Sequence, residues 1–238
     1  MKVTPYQDER SKKEQVAGMF DNIAPRYDFL NRFLSAGIDQ GWRKKTVKAV
    51  QAHGGENLLD VATGTGDLAI ALAKSGFQVT GLDLSHGMLE VGREKVKSKN
   101  LEDKVKMVQG DSENLPFESD HFDLMTAAFG VRNFENLEKG LSEMHRTLKP
   151  NGMMAILEFS QPEAFPFKQV YNFYFKNILP TLGKALSKDP KAYGYLHDSV
   201  QAFPYGDEFK DVLEKIGFKE VKTKPLTMGI ASLYTGIK

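Results

Sequence analysis

Cysteine is absent from all 238 positions. Disulfides, thiolate catalysis and cysteine-based zinc sites are therefore excluded. Histidine is sparse, and His86, His121, His145 and His197 show no metal-ligand spacing, so no metal is assigned. A surplus of either charge is missing too, with 32 Lys plus Arg against 31 Asp plus Glu. That balance argues against a nucleic-acid partner held by bulk charge. No run approaches the roughly 20 apolar residues that cross a bilayer. The N-terminal MKVTPYQDERSKKEQ lacks the apolar centre of a signal peptide, so the expected compartment is the cytoplasm. Hydrophobic residues make up 41% of the chain, enough for a sizeable core in one generous domain.

The first 50 residues or so read as helical. Ser11-Lys12-Lys13-Glu14 has the form of a capping box. Val16, Met19, Phe20 and Ile23 follow at helical spacing until Pro25 interrupts them. Phe29, Leu30, Phe33 and Leu34 repeat the spacing, Ser35 to Gly37 marks a turn, and a further helix begins near Trp42 and runs to about Gln51. From Asn57 the pattern alternates. Strands are expected at 58–62, 77–83, 104–109, 122–128 and 153–159. Helices are expected at 68–74, from a Ser85 cap to 98, and at 137–148, the last closed by the breaker at Lys149 to Gly152. The alternation predicts a doubly wound α/β fold with a mostly parallel sheet.

Residues 159–205 hold 11 of the 25 aromatics. Phe167, Val170, Tyr171, Tyr174, Phe175, Ile178, Leu179 and Leu182 form a helical stripe, expected to pack as core rather than to touch a membrane. Asp207–Ile216 reads as a helix. Residues 218–223 and 230–237 read as a hairpin-like pair of strands at the sheet edge, which brings the strand count to seven.

In such sheets ligands bind beyond the carboxyl ends of the strands. Gly64, Asp83, Asp111 and the segment Phe129–Asn133 each follow a predicted strand, so they should meet in one crevice. Gly64-Thr65-Gly66-Asp67-Leu68-Ala69 fits the dinucleotide pattern, and Asp83 lies where an acid could grip a ribose. A dehydrogenase is the first candidate. Asp60, just before the turn, points elsewhere, because an acid there suits an ammonium group and opposes a pyrophosphate. Asp111 can read an adenine amino group, and Asp83 can accept from both ribose hydroxyls. An α-amino acid joined to an adenosine satisfies all of these.

The motifs DVATGTGD, GLDLS and GDSENLPF resemble those of class I S-adenosylmethionine-dependent methyltransferases. RYDFLNRFLSAGIDQGWR (26–43), FGVRNF (129–134) and RTLKPNGMMAILEFS (146–160) resemble segments of the quinone C-methyltransferases of menaquinone and ubiquinone biosynthesis. The resemblance runs from about Phe20 to Lys238. Leu30, Asp39 and Asn151 stand where that family often has Met, His and Gly.

The resemblance implies a Rossmann-like methyltransferase fold across 1–238. It would comprise a helical extension (1–52), a cofactor-binding core (57–160), a substrate-capping helical segment (161–206) and a C-terminal helix with edge strands (207–238). It implies S-adenosylmethionine as cofactor, held by Asp60, Gly64, Thr65, Gly66, Asp83, Leu84, Asp111, Ser112 and Ala128. Arg132 and Asn133 would hold quinol oxygens, and Tyr27 would relay a proton. The substrate would be a polyprenyl naphthoquinol, demethylmenaquinol, since the C-terminal AYGYLHDSVQAFPYGDEFKDVLEKIGF looks closer to bacterial menaquinone enzymes. Its tail implies transient, peripheral contact with the inner face of the cytoplasmic membrane; a homodimer is compatible with all of this. A benzoquinol substrate, a binding module without turnover and a dehydrogenase are the alternatives. Plainer roles are also open: a tight turn at Gly64 and Gly66, a helix cap at Asp83, ordinary acids at Asp60 and Asp111, an ion-pair partner at Arg132, packing at Tyr27.

Overall fold

The computed structural model describes residues 3–6, 8–35, 37–174, 177 and 190–238. Helix α1 (Lys12–Leu34) opens on the expected capping box. The Ser11 N–H donates to the Glu14 carboxylate at 2.8 Å, and the Glu14 N–H donates to Ser11 Oγ at 3.2 Å. The helix does not stop at Pro25 but runs through it. An interior proline costs about 3 kcal/mol, and tertiary contacts on both sides outweigh that. Asp21 Oδ1 accepts from Ser85 Oγ (2.6 Å) and the Gly87 N–H (2.8 Å), while Asp28 accepts from Thr65 Oγ1 (2.6 Å) and Lys95 Nζ (2.7 Å). Helix α2 (Ile38–His53) begins at Ile38, ahead of Trp42.

The alternating unit then follows: β1 (Asn57–Val61), α3 (Asp67–Lys74), β2 (Gln78–Asp83), α4 (His86–Ser98), β3 (Val105–Gln109), β4 (Phe122–Ala128), α5 (Leu137–Thr147) and β5 (Leu148–Phe159). Ser85 caps α4 by accepting from the Met88 N–H at 3.1 Å. Next come α6 (Phe167–Phe173), α7 (Pro190–Ala202), α8 (Asp207–Ile216), β6 (Lys219–Leu226) and β7 (Ala231–Ile237). The strands form one sheet in the order β3-β2-β1-β4-β5-β7-β6. β1 to β5 pair in parallel, and β7 is antiparallel to both β5 and β6.

Two expectations are corrected here. First, β5 starts before the breaker rather than after it. Phe122 pairs with Leu148 and Leu124 with Met153, so residues 149–152 bulge out of the ladder, with Asn151 at φ +62°. The chain end holds the bulge, since Lys238 O accepts from the Asn151 N–H and Gly152 O from the Lys238 N–H. The final two strands form the expected antiparallel pair at one edge of the sheet, with β7 inserted between β5 and β6. Only β6 is outermost, where Pro225 is tolerated because no ladder donor is required of it. Second, the aromatic stripe is not core over its described part. Tyr171 is buried, but Phe167 and Val170 are 40% and 63% exposed. The stripe residues at 175, 178, 179 and 182 lie outside the described residues.

Alternation along the strands feeds two apolar layers. Leu58, Leu124 and Ala155 pack with Trp42, Val47 and Leu72 on one face. Leu59, Met125 and Ile156 pack with Leu141, Met144 and Phe209 on the other. With both faces covered, polar groups can reach a ligand only at the strand ends.

Candidate active site

The switch point lies between the carboxyl ends of β1 and β4. Both exits carry a non-glycine residue at positive φ, Ala62 at +54° and Phe129 at +59°. Such angles cost about 1–3 kcal/mol each and persist only where the surroundings enforce them. Here the exits touch: a Cβ on Gly130 would lie 2.4 Å from the Ala62 Cβ, so glycine is required there.

A cavity of about 80 Å³ opens at these ends, lined by Gly64, Asp83, Leu84, Asp111, Ser112 and Ala128. Lys13, Val16, Ala17 and Phe20 of α1 also line it. The Gly64 N–H donates to Asp83 Oδ2 at 2.7 Å, and the Ser85 N–H donates to Asp83 Oδ1 at 2.9 Å. Burial pushes the Asp83 carboxyl up, against the pull of those backbone donors. Asp111 Oδ1 accepts from the Glu113 N–H at 2.9 Å, and Oδ2 pairs with Lys13 Nζ at 2.5 Å. That bond to Asp111 raises the Lys13 ammonium above its ordinary value. Helix α1 thus lies across the strand ends, held through Lys13, Asp21 and Asp28.

Three of the expected cofactor residues stand apart from this cavity. Asp60 is 1% exposed, and its two oxygens accept from Thr63 Oγ1 and Thr126 Oγ1, each at 2.6 Å. Burial lifts it to about 6. Its hydroxyl partners tie β1 to β4 just behind the strand exits. Thr65 is turned away as well: its hydroxyl donates to Asp28 and accepts from Lys95 Nζ at 3.1 Å, which anchors the turn to α1 and α4. Gly66 takes φ +76° as the N-cap of α3, where a Cβ would come within 3.3 Å of Met107 Cε. Among these three, β1 alternation and helix geometry decide the direction, and neither is visible in the motif GTG.

A second cavity, of about 370 Å³, shares Phe20, Tyr27, Phe129 and Asn133 with the first. Its walls are largely apolar and include Met19, Ile23, Leu30, Trp42, Phe159, Val170 and Ile230. Arg132 lines it, in the short 3-10 turn Val131–Asn133. The Arg132 guanidinium donates to Glu158 Oε1 at 2.9 Å and to the Phe129 carbonyl, and it lies 5.3 Å from the centre of the Phe159 ring. Both partners are buried, with side-chain exposures of 7% and 0%. Burial pushes Glu158 up, while Arg132 and the backbone N–H of Phe159 pull it back. Arg132 is therefore an ion-pair partner, yet its Nε and the Asn133 Oδ1 have no hydrogen-bond partner among the described residues. Tyr27 stacks edge-on to Phe20 at 5.9 Å, and burial raises its phenol, so it is a donor at neutral pH.

Sequence reasoning missed, as site residues, Glu158, Lys13 and three of the second cavity's four tyrosines, Tyr171, Tyr174 and Tyr195. Glu158 had one usable signal, being the single acid in the buried run Met153–Phe159. Asp39, expected at a family histidine position, is 8% exposed and pairs with Arg43 and Ser35 Oγ.

The strand-end cavity fits S-adenosylmethionine. A Cβ on Gly64 would meet no protein atom within 4 Å, so a side chain there would take up cavity space. Asp83 and Asp111 supply acceptors for hydroxyl and amino groups, and Leu84 and Phe134 supply apolar wall. Comparison with known proteins agrees. A demethylmenaquinone methyltransferase of Bacteroides fragilis is 48% identical over 239 residues, covering 100% of this chain and 98% of its own. A ubiquinone/menaquinone biosynthesis C-methyltransferase UbiE of Geotalea daltonii is 47% identical over 95% of this chain and 97% of its own. Among solved structures, a SAM-dependent methyltransferase of Thermotoga maritima, a possible histamine N-methyltransferase by its title, superposes with a TM-score of 0.64 at 20% identity, covering 93% of this chain and 99% of that one, a likeness of fold. The model of the ubiE/COQ5 methyltransferase family matches residues 8–238. With the strand-end cradle, the second cavity and this full-length match in agreement, the chain belongs to the ubiE/COQ5 methyltransferase family.

Proposed function

We propose that this protein carries out the C-methylation of a polyprenyl demethylmenaquinol, with S-adenosylmethionine as methyl donor, to give menaquinol. The observation that carries the reading is the pairing of cavities. A largely apolar space of about 370 Å³ adjoins the strand-end cradle through Tyr27, Phe129 and Asn133. It lies within the size range of small-molecule sites and bears a fixed guanidinium.

S-adenosylmethionine supplies, when bound, an electrophilic methyl group. The protein must then make a ring carbon nucleophilic, and a quinol becomes so as a hydroxyl loses its proton. The unpaired Nε of the Arg132 guanidinium can stabilise developing phenolate charge. Glu158 and the Phe129 carbonyl fix the guanidinium, so little reorganisation accompanies the reaction. The Asn133 Oδ1 accepts from the quinol hydroxyl. Tyr27, protonated at neutral pH, relays the proton through water to a carboxylate. The apolar walls exclude water and strengthen each of these interactions.

The segment around α6 supports a peripheral membrane contact for delivery of the tail. Phe165 and Phe173 are 81% and 61% exposed, beside Phe167 and Val170, which line the second cavity. Among the described residues no helix is long and apolar enough to cross a membrane. The test is transfer of a tritiated methyl group to demethylmenaquinol, set against a demethylated ubiquinone precursor. Label in the naphthoquinol is expected. Label in neither quinol would overturn the reading.

A further inference from the structure

Two buried tyrosines differ in how their hydroxyls are satisfied. Tyr234, in β7, has 0% exposure, and its hydroxyl accepts from the Gly206 N–H at 2.8 Å. That is the ordinary state of a buried hydroxyl, since leaving one unpaired forfeits its hydration without return. Tyr195, in α7, is 4% exposed, and its hydroxyl is buried with no hydrogen-bond partner among the described residues. Its ring is clamped against Val16, Met19 and Ala192, so the side chain has little freedom to find a partner elsewhere. The side chain lines the second cavity. Arg132 and Glu158 both act on it electrostatically, so the hydroxyl sits in the same field as the clamp. Burial raises its phenol, so the group is a donor throughout the neutral range.

We propose that Tyr195 is a substrate-binding residue whose hydroxyl donates a hydrogen bond to a ring oxygen of the quinol. The inference rests on the proposed quinol reading and adds to it a third polar anchor, supplied by a different element from the 131–133 turn. A quinol ring carries two oxygens, and a cavity with so few polar atoms recognises them only through groups like these. An unpaired buried donor also rejects a ring that lacks its acceptor. Tyr195 thereby selects oxygenated rings over bare aromatic ones.

The test is a binding cycle with the full-length protein. Wild type and Tyr195→Phe are titrated with a polyprenyl 1,4-naphthoquinone and with a polyprenyl naphthalene of the same tail, which has no ring oxygen. The expected result is about tenfold weaker binding of the naphthoquinone by Y195F, with the naphthalene bound no more weakly by Y195F than by wild type, because the unmatched donor is gone. Thermal stability of Y195F should be unchanged or higher, because the hydroxyl has no partner to lose among the described residues. Affinity for S-adenosylmethionine should not change. Equal naphthoquinone affinity in the two proteins would overturn the proposal. So would equal weakening of both ligands, which would mark a packing role. Methyl transfer by the wild type is assayed separately: its absence would remove the quinol reading, whereas its presence with an unaffected Y195F cycle would remove this inference alone.

Discussion

Asp60 offers the sharpest test of how this site is built. Its carboxyl is lifted from 3.8 to about 6 by burial, with Thr63 and Thr126 hydroxyls opposing the lift. A lift of that size means that the charged native state is destabilised by about 3 kcal/mol. The sign follows from linkage. Above pH 6 the group is ionised in both states, and the native state bears the whole cost. As pH falls through 6 the native carboxyl takes up its proton first, so stability rises until the unfolded chain protonates near 4. Asp60→Asn keeps the shape and can keep both hydroxyl bonds, because a threonine hydroxyl can donate or accept. The expected outcome at pH 7 is a gain of up to about 3 kcal/mol, which in a chain of this length raises Tm by roughly 6–12 °C. Thermal melts from pH 4 to 7.5 measure it, read as the difference between variant and wild type. That difference should shrink steadily from pH 6 to pH 4. A variant less stable than wild type at pH 7, or a difference independent of pH, would refute the reasoning. Weaker binding of S-adenosylmethionine by the same variant would show that the buried charge is retained for the cofactor.

Three further outcomes follow from the geometry. Glu158→Gln leaves the Arg132 charge buried and uncompensated, so Tm should fall by roughly 6 °C or more, for a cost of about 3 kcal/mol, and turnover should drop; unchanged melts and rates would contradict the clamp. Gly64→Ala forces a side chain into φ +58°; stability should fall by about 1 kcal/mol and S-adenosylmethionine should bind at least tenfold more weakly by calorimetry, whereas wild-type affinity would remove Gly64 from the cradle. The double variant Phe165→Glu, Phe173→Glu places charge on the exposed apolar segment, so sedimentation with anionic vesicles should be lost while methyl transfer to a short-tailed quinol persists; retained vesicle binding would move the membrane contact elsewhere.

Much of this architecture was legible because it depends on neighbours in sequence. The Ser11 to Glu14 box, the Ser85 cap and the strand at 122–128 are local events, set by propensity and by period. The Gly64 turn was legible for the same reason: positive φ at a strand exit calls for glycine. Pro25 and the Lys149–Gly152 bulge were misread because the local rule was overruled from afar. Asp21 and Asp28 reach Ser85 and Lys95 across the fold, and the bulge is held by Lys238, the last residue.

Side-chain direction separates the rest. The motif DVATGTGD names the turn but does not say which way Asp60 and Thr65 face; the sheet pleat turns one inward to Thr126 and α1 draws the other to Asp28. Glu158 showed in the sequence only as the lone acid of a buried run and Tyr195 not at all, because each gains its meaning from a partner or a void that long-range folding creates. By itself, then, the sequence determined the class of fold, through its periodicities, and the methyltransferase family, through the segments that resemble it, since both rest on short stretches of chain. Tertiary structure alone decided which acids face the cavity, how Arg132 is held and where α1 lies, because burial and charge pairing exist only once distant segments meet.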